Sequence, residues 1–172
     1  SLSVLDPTRF AMECVPEDRR TFPGCFHMTS MHLAPEIIAS GLKPGQSLVT
    51  RGGRMDIHFS PFAPLDDRNE LMKKKLDSLK KSGLTVLVVS VALLAVKELR
   101  MRYCTSSGIV LSDVPVPWQY FDGMWKLWWD HREQKFKNEW IYSPVMRKLD
   151  VNSFSSFRNT TPLQLTKALT QD

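Results

Sequence analysis

Residues that could do chemistry lie at the ends of two short apolar segments. His27 and Thr29 close the segment FHMT, and His58 and Ser60 lie in the segment DIHFS. A stretch rich in helix-forming residues and then a turn containing glycine and proline follow the first pair. The polar chemistry of this chain therefore clusters at the ends of predicted strands.

The histidines alone do not assign a reaction. His27 and His58 have apolar neighbours, and such a histidine is more often a half-buried core residue than a catalytic one. His32 and His131 lie in contexts typical of a surface. No HxxxH or HxH pair is present, so the sequence does not predict a metal site, and the GxGxxG, GxxxxGK[ST] and GxSxG motifs are absent.

Composition narrows the class of protein. The chain has 172 residues, 42% of them hydrophobic, which is enough for one packed core. A formal net charge of +5 favours an acidic partner such as a nucleotide or nucleic acid. No stretch approaches the ~20 apolar residues of a membrane span, so no membrane partner is expected. Beginning at Ser1 rather than Met is the pattern expected of a domain from a longer polypeptide.

The cysteines indicate a reducing compartment. They are few and scattered, and none has the CxxC spacing of a zinc site. We therefore expect an intracellular protein, cytoplasmic or nuclear. The three positions are Cys14, Cys25 and Cys104.

Hydrophobic periodicity predicts an α+β fold. Apolar or alternating runs predict strands, and Leu or Met at helical spacing predicts helices. The aromatic-rich stretch 118–142 predicts a helix packed across the sheet and then a last strand at 139–142. We divide the chain into an N-terminal extension (1–23), one domain (24–150) and a C-terminal tail (151–172). The other predicted strands lie at 24–29, 55–60, 86–91 and 109–111, and the other predicted helices at 34–42, 65–83 and 92–100.

Two patterns have both a structural and a functional interpretation. The lysines of the 65–83 helix are more often a solvated face, but they also suit the tracking of phosphates. The five tryptophans are more often core than a platform for stacking bases. Both interpretations stay open at the level of sequence.

The order of segments resembles the RNA 2′-phosphotransferase family of the ADP-ribosyltransferase fold. The segments are HMT, SGLKPG, GRMDIHFSP, VLVVSV, YCTSSGIVL and VPVPWQYF. In that family the first strand reads H-G-T, a helix ends in a glycine-leucine-x-proline turn, the next strand reads R-x-H-x-H-L-S, and a later one reads F-R-S-x-N-G-V. The resemblance covers roughly residues 24–125. It implies two small packed β-sheets with flanking helices.

The resemblance also implies a substrate and a set of site residues. It implies NAD, bound in a cleft between the sheets beside His27, Met28 and Thr29, with Ser60 at the nicotinamide ribose. Loss of nicotinamide creates an oxocarbenium-like centre, so holding the leaving group and ribose in line with an acceptor is the main task. From the later strand, Thr105, Ser107 and Gly108 match further cofactor-binding positions.

The acceptor implied by the resemblance is a phosphate on RNA. Arg54 and His58 match the family's catalytic strand, and arginine suits a phosphate because its guanidinium binds in a bidentate way. Three positions depart from the family pattern: Met28 replaces a glycine, Asp56 a histidine and Cys104 an arginine. Arg100 and Arg102 are candidates to replace that arginine, and Arg102 would share a strand face with Cys104 only if the strand already begins at residue 102.

Three functions therefore stay open. The first is an NAD-dependent transferase acting on a nucleic-acid acceptor. The second is a catalytically degenerate module of the same fold that binds nucleotide or RNA through the cleft and the lysine-rich helix. The third is an interaction domain whose contact surface is the exposed part of the tryptophan cluster.

Overall fold

The structure is a computed structural model that describes residues 11–13, 24–45, 56–104, 108–143 and 148–149. The predicted C-terminal tail and most of the predicted N-terminal extension lie outside these residues, as do three predicted site residues. Those three are Arg54, Thr105 and Ser107.

The described chain is mixed α+β. Its helices are α1 (Ala34–Ser40), α2 (Lys73–Ser82) and α3 (Leu93–Glu98), and short 3₁₀ turns cover Met31–Leu33 and Trp118–Tyr120. The three helices fall within the predicted ranges. The strands are β1 (Ala11–Glu13), β2 (Phe26–Ser30), β3 (Ile57–Phe59), β4 (Val86–Val91), β5 (Arg102–Cys104), β6 (Ile109–Ser112), β7 (Phe121–Asp130), β8 (Lys135–Ser143) and β9 (Lys148–Leu149).

The strands form two small antiparallel sheets. The first sheet has the order β1-β5-β6-β3, and the second has the order β2-β4-β7-β8-β9. Thus β3 lies at one end of the first sheet and β2 at one end of the second. The site is built where these two strands meet.

The main core joins both sheets to α1 and α3. Strand β4 is buried on both faces, as its continuous apolar run predicted, because Val88 and Val89 are each fully buried. A second apolar cluster on the opposite face of the second sheet holds α2 through Leu79, against Val88 and Leu127. The main cluster includes Ile37, Ile38, Phe59, Leu87, Val89, Val96, Val110 and Met124.

Helix ends follow local sequence rules. Pro35 lies in the first turn of α1, where its missing N–H leaves no intrahelical bond unmade. Glycines end α1 and α2 with positive φ, 75° at Gly41 and 68° at Gly83, which glycine adopts without a Cβ penalty.

The helix predicted within 118–138 is wrong. That stretch forms the hairpin of β7 and β8, whose second strand includes the predicted strand at 139–142. Trp125, Trp128 and Trp129 fit a helical period, but Trp125 and Trp129 also alternate along one face of a strand. Aromatic side chains favour such half-buried strands, and all the described tryptophans except Trp140 are half-buried. Trp140 is 50% exposed.

Among the residues described, no helix is both long enough and apolar enough to cross a membrane.

Candidate functional site

A cleft opens where the end strands of the two sheets meet. Phe26 and Ser60 form an isolated antiparallel bridge, in which each backbone N–H donates to the other residue's carbonyl, at 2.9 and 2.8 Å. Gly24 N–H also donates to the Pro61 carbonyl at 3.2 Å. Beyond this bridge, a cavity of about 170 Å³ lies between β2 and β3.

Polar and apolar side chains together line the cleft. β2 and the start of β3 supply the floor, α1 and the turn behind it supply one wall, and α2 supplies the other. The lining residues are His27, Met28, Thr29, Leu33, Ile37, Leu42, Lys43, Gly45, Asp56, Ile57, His58, Met72 and Lys75.

The ring of His27 is fixed by strand β3. Its Nδ1 donates to the backbone carbonyl of His58 at 2.9 Å, and its ring packs edge-to-face with Phe59 at 5.7 Å between the ring centroids. A carbonyl only accepts, so the neutral ring carries its proton on Nδ1 and a lone pair on Nε2. The imidazole is thereby held in one orientation and one tautomer at the floor of the cleft.

The backbone of Met28 points toward the cleft. In a strand, the N–H and C=O groups of neighbouring residues point to opposite sides. The carbonyl of Cys25 accepts from Val91 inside the sheet, whereas Phe26 exchanges bonds with Ser60 outside it. Met28 is two residues after Phe26 on the same strand, so its backbone groups point to the same side as those of Phe26. Its N–H and C=O therefore point out of the sheet, into the space between β2 and β3.

The methionine side chain does not crowd this edge. Met28 packs against the second apolar cluster, where its cross-strand partner Val88 is fully buried. A side chain at the position of the family's glycine is therefore accommodated by the α2 side of the sheet.

Asp56 brings a carboxylate into the cleft, where it is paired with an arginine. It is 9% exposed and immediately precedes β3. Arg102 Nη2 lies 3.3 Å from its Oδ1, and the arginine side chain is 27% exposed. Strand β5 begins at Arg102, so Arg102 and Cys104 lie on the same strand, as the sequence analysis required for this residue to replace the family's arginine.

Two lysines line the cleft. Lys43 follows α1 and Lys75 belongs to α2, and both side chains are exposed. They provide positive charge at the rim, whereas the floor carries the imidazoles and the Asp56 carboxylate.

The structure brings together only some of the residues singled out in the sequence. His27, Met28, Thr29 and His58 line the cleft. Ser60 forms the bridge below it, is 2% exposed, and accepts a hydrogen bond from Phe62 N–H at 3.3 Å.

Gly108 lies immediately before β6 with a φ of 69°, and it is not among the residues that line the cleft.

Sequence reasoning did not assign Lys43, Met72 or Lys75 to the site. Lys75 belongs to the lysine run, for which a phosphate-binding role was one of two interpretations. Met72 precedes α2 and is brought to the cleft by packing between elements distant in sequence, which no local pattern signals. Among the described residues, no group of three or more His, Cys, Asp or Glu side chains is placed to hold a metal ion.

Comparisons with known proteins do not assign a family to this chain. No protein-family model matches the chain, and no curated protein matches it. Among solved structures, EcPltA is similar, with a TM-score of 0.41 and 8% sequence identity, covering 69% of this chain and 83% of that chain. We therefore infer a function from the residues of the cleft.

Proposed function

We propose that this chain is an NAD-dependent transferase with an ADP-ribosyltransferase-like fold, which moves ADP-ribose from NAD to an acceptor on nucleic acid inside the cell. One observation carries the proposal. His27, Thr29 and His58, which the family resemblance singles out in two separate segments, line the same cleft between the two sheets.

The outward backbone of Met28 suits the nicotinamide end of NAD. A primary carboxamide has an N–H donor and a C=O acceptor side by side. The N–H and C=O of one strand residue offer the complementary pair, and they need no reorganisation because the sheet fixes them. The apolar side chains of Leu33, Ile37 and Leu42 would cover the faces of the pyridinium ring.

The size and charge of the cleft fit one end of the dinucleotide. Small-molecule sites commonly enclose about 300–1,000 Å³, so a cavity of about 170 Å³ holds the nicotinamide end and leaves the rest at the rim. Lys43 and Lys75 would pair there with the pyrophosphate.

Catalysis by this site would consist mainly of positioning. His27, held by the His58 carbonyl, and Thr29 on the same strand would orient the ribose next to nicotinamide. The bond between that ribose and nicotinamide would then be held in line with the acceptor. Holding the reacting groups in this geometry makes the reaction faster than the same reaction in solution.

A thermal-shift titration with NAD tests the proposal. At about ten times its Kd, a ligand that binds only the folded state stabilises it by about 1.4 kcal/mol, which raises the Tm by about 3–6 °C for a chain of this size. We expect His27→Ala to abolish the rise. His131→Ala, at an exposed histidine of the β7–β8 turn, should keep it.

The same samples should release nicotinamide from NAD, which chromatography measures directly. Absence of a shift at millimolar NAD, or an equal loss in both histidine variants, would contradict the proposal.

A non-catalytic module that binds nucleotide or RNA is the second candidate, and helix α2 favours it. All five lysines of this helix are exposed, and Lys75 also lines the cleft. For this function, affinity for RNA should fall steeply with salt because phosphate contacts release counterions. NAD should then be left intact.

A further inference from the structure

We infer that Asp56 is the catalytic carboxylate of the cleft and that it selects an uncharged hydroxyl as the acceptor of ADP-ribose. This inference rests on the proposed function and names its acceptor class. It departs from the phosphate acceptor that the sequence resemblance implies.

The position of Asp56 is the first support. The residue lines the cleft two positions before His58, whose carbonyl holds the ring of His27. It is 9% exposed, so its carboxylate acts through a medium that screens charge less than bulk water does.

The partner of Asp56 is the second support. An ionised carboxylate is costly to bury without an opposite charge. Arg102 supplies that charge at 3.3 Å, from β5 on the far side of β6. A carboxylate–arginine pair held between strands is rigid, and so the negative charge stays where the reaction needs it.

The reaction gives this charge a role. The bond between C1′ of the ribose and the nicotinamide nitrogen breaks, and its electron pair goes to that nitrogen, which becomes neutral. Positive charge then develops on C1′ and the ring oxygen, as in glycoside cleavage, where a nearby carboxylate stabilises it. The acceptor hydroxyl donates a lone pair to C1′, and its proton passes to Asp56 and from there to solvent.

The same charge disfavours a phosphate acceptor. Asp56 lines the cleft whereas Arg102 does not, so a phosphate dianion in the cleft would meet the carboxylate and be repelled. A neutral hydroxyl would not be repelled. The cleft-lining lysines Lys43 and Lys75 are exposed at the rim, where they suit the pyrophosphate of NAD. The floor therefore favours a neutral nucleophile.

Asp56→Asn tests the inference, with Asp66→Asn as the matched control. Asp66 is also paired with an arginine, since Arg68 Nη2 lies 2.8 Å from it, but it lies in a surface loop outside the cleft. We expect Asp56→Asn to lower kcat for nicotinamide release by about 100-fold or more. The KM for NAD should change by less than about 3-fold, because Asp56 acts on charge that appears during the reaction. Asp66→Asn should change neither.

Acceptor choice is measured with two oligodeoxyribonucleotides of one sequence, both blocked at the 5′ end and ending either in a 3′-hydroxyl or in a 3′-phosphate. Wild-type protein should modify the hydroxyl form at least about 10-fold faster. If Asp56→Asn does not fold, Asp56→Glu replaces it, and this variant should keep the hydroxyl preference because it keeps the charge.

Three results overturn the inference alone, provided that the wild-type protein binds NAD and releases nicotinamide. These are wild-type kcat in Asp56→Asn, an equal loss in Asp66→Asn, or faster modification of the phosphate form. A wild-type protein that neither binds nor cleaves NAD overturns the proposed function and this inference with it.

Discussion

The cleft and the β7–β8 hairpin belong to connected parts of the fold but are built in different ways. At the cleft, strands of five and three residues, β2 and β3, meet at an isolated bridge. At the hairpin, strands of ten and nine residues pair from Met124 to Asp130. Short strands at sheet ends leave backbone groups directed outward, whereas long paired strands bury apolar area. The fold therefore separates the proposed ligand site from a region that supplies stability.

Removing a buried side chain from the hairpin should have the largest effect on stability. Leu127 is fully buried and packs against Leu79 and Val88, so Leu127→Ala leaves a cavity and should cost about 3 kcal/mol. The Tm should fall by about 6–12 °C. The rise in Tm with NAD should persist, because Leu127 does not line the cleft.

Leu84→Ala is the control for that variant. Leu84 is 64% exposed, and its removal should change stability by less than about 0.5 kcal/mol. Loss of the NAD response in Leu127→Ala at a temperature where it is folded would show that the two regions are not separable.

Gly41→Ala should have the next largest effect, on the wall of the cleft. A Cβ at Gly41 would lie 2.3 Å from the Val116 carbonyl oxygen, at a φ of 75°. Both the left-handed backbone and the contact with rigid backbone oppose the substitution, so we expect a loss of about 2 kcal/mol or more in unfolding free energy. Denaturant unfolding measures it.

Gly83→Ala gives the cost of the ordinary left-handed conformation, in which ψ is 14°, whereas ψ at Gly41 is −172°. Gly83 also ends a helix at positive φ, but the nearest atom to its added Cβ is His131 Nε2 at 4.0 Å. It should cost about 1 kcal/mol, from the backbone conformation alone. Equal losses in both variants would mean that the packing of Gly41 against Val116 does not constrain the cleft wall.

Asp130, at the hairpin turn, should make a smaller and pH-dependent contribution. A hydrogen bond from Lys137, together with the backbone N–H groups of Glu133 and Arg132, lowers the pKa of Asp130 from 3.8 to about 2. A lowered native pKa stabilises the fold fully above the unfolded value, and this stabilisation is lost as pH falls from about 4 toward 2.

Asp130→Asn should therefore lower stability at pH 7 and narrow the difference between pH 7 and pH 3, as measured by urea midpoints. Asp77→Asn, an exposed substitution on α2, should leave both midpoints nearly unchanged. An unchanged difference in Asp130→Asn would mean that this ion pair does not contribute.

The sequence predicted the local elements around the cleft better than the hairpin. Strands β2, β3 and β4 have apolar runs bounded by glycine or proline, and α1 has its proline and glycine at the expected ends. The tryptophans of β7 satisfy both a helical and a strand period, so only their pairing with β8 decides between the two.

The site was predictable in part. The resemblance to the family pattern singled out His27 and His58, whereas residue type and apolar neighbours alone favoured a role in the core. The pairing of Asp56 with Arg102 joins residues 46 positions apart, and Lys75 reaches the cleft through the packing of α2. Such long-range contacts have no local signature, so the sequence showed Asp56 only as a departure from the family pattern.

The most direct test of the account is a nicotinamide and NAD titration followed by ¹H–¹⁵N NMR on the labelled protein. One spectrum contains signals from both regions. The amide signal of Met28 monitors the cleft, and the indole N–H signals of Trp125 and Trp140 monitor the hairpin. We predict a saturable shift of the Met28 and Thr29 amides, with the two indoles nearly unmoved. Movement of the indoles without Met28, or no movement at all, would contradict the assignment of the cleft as the NAD site.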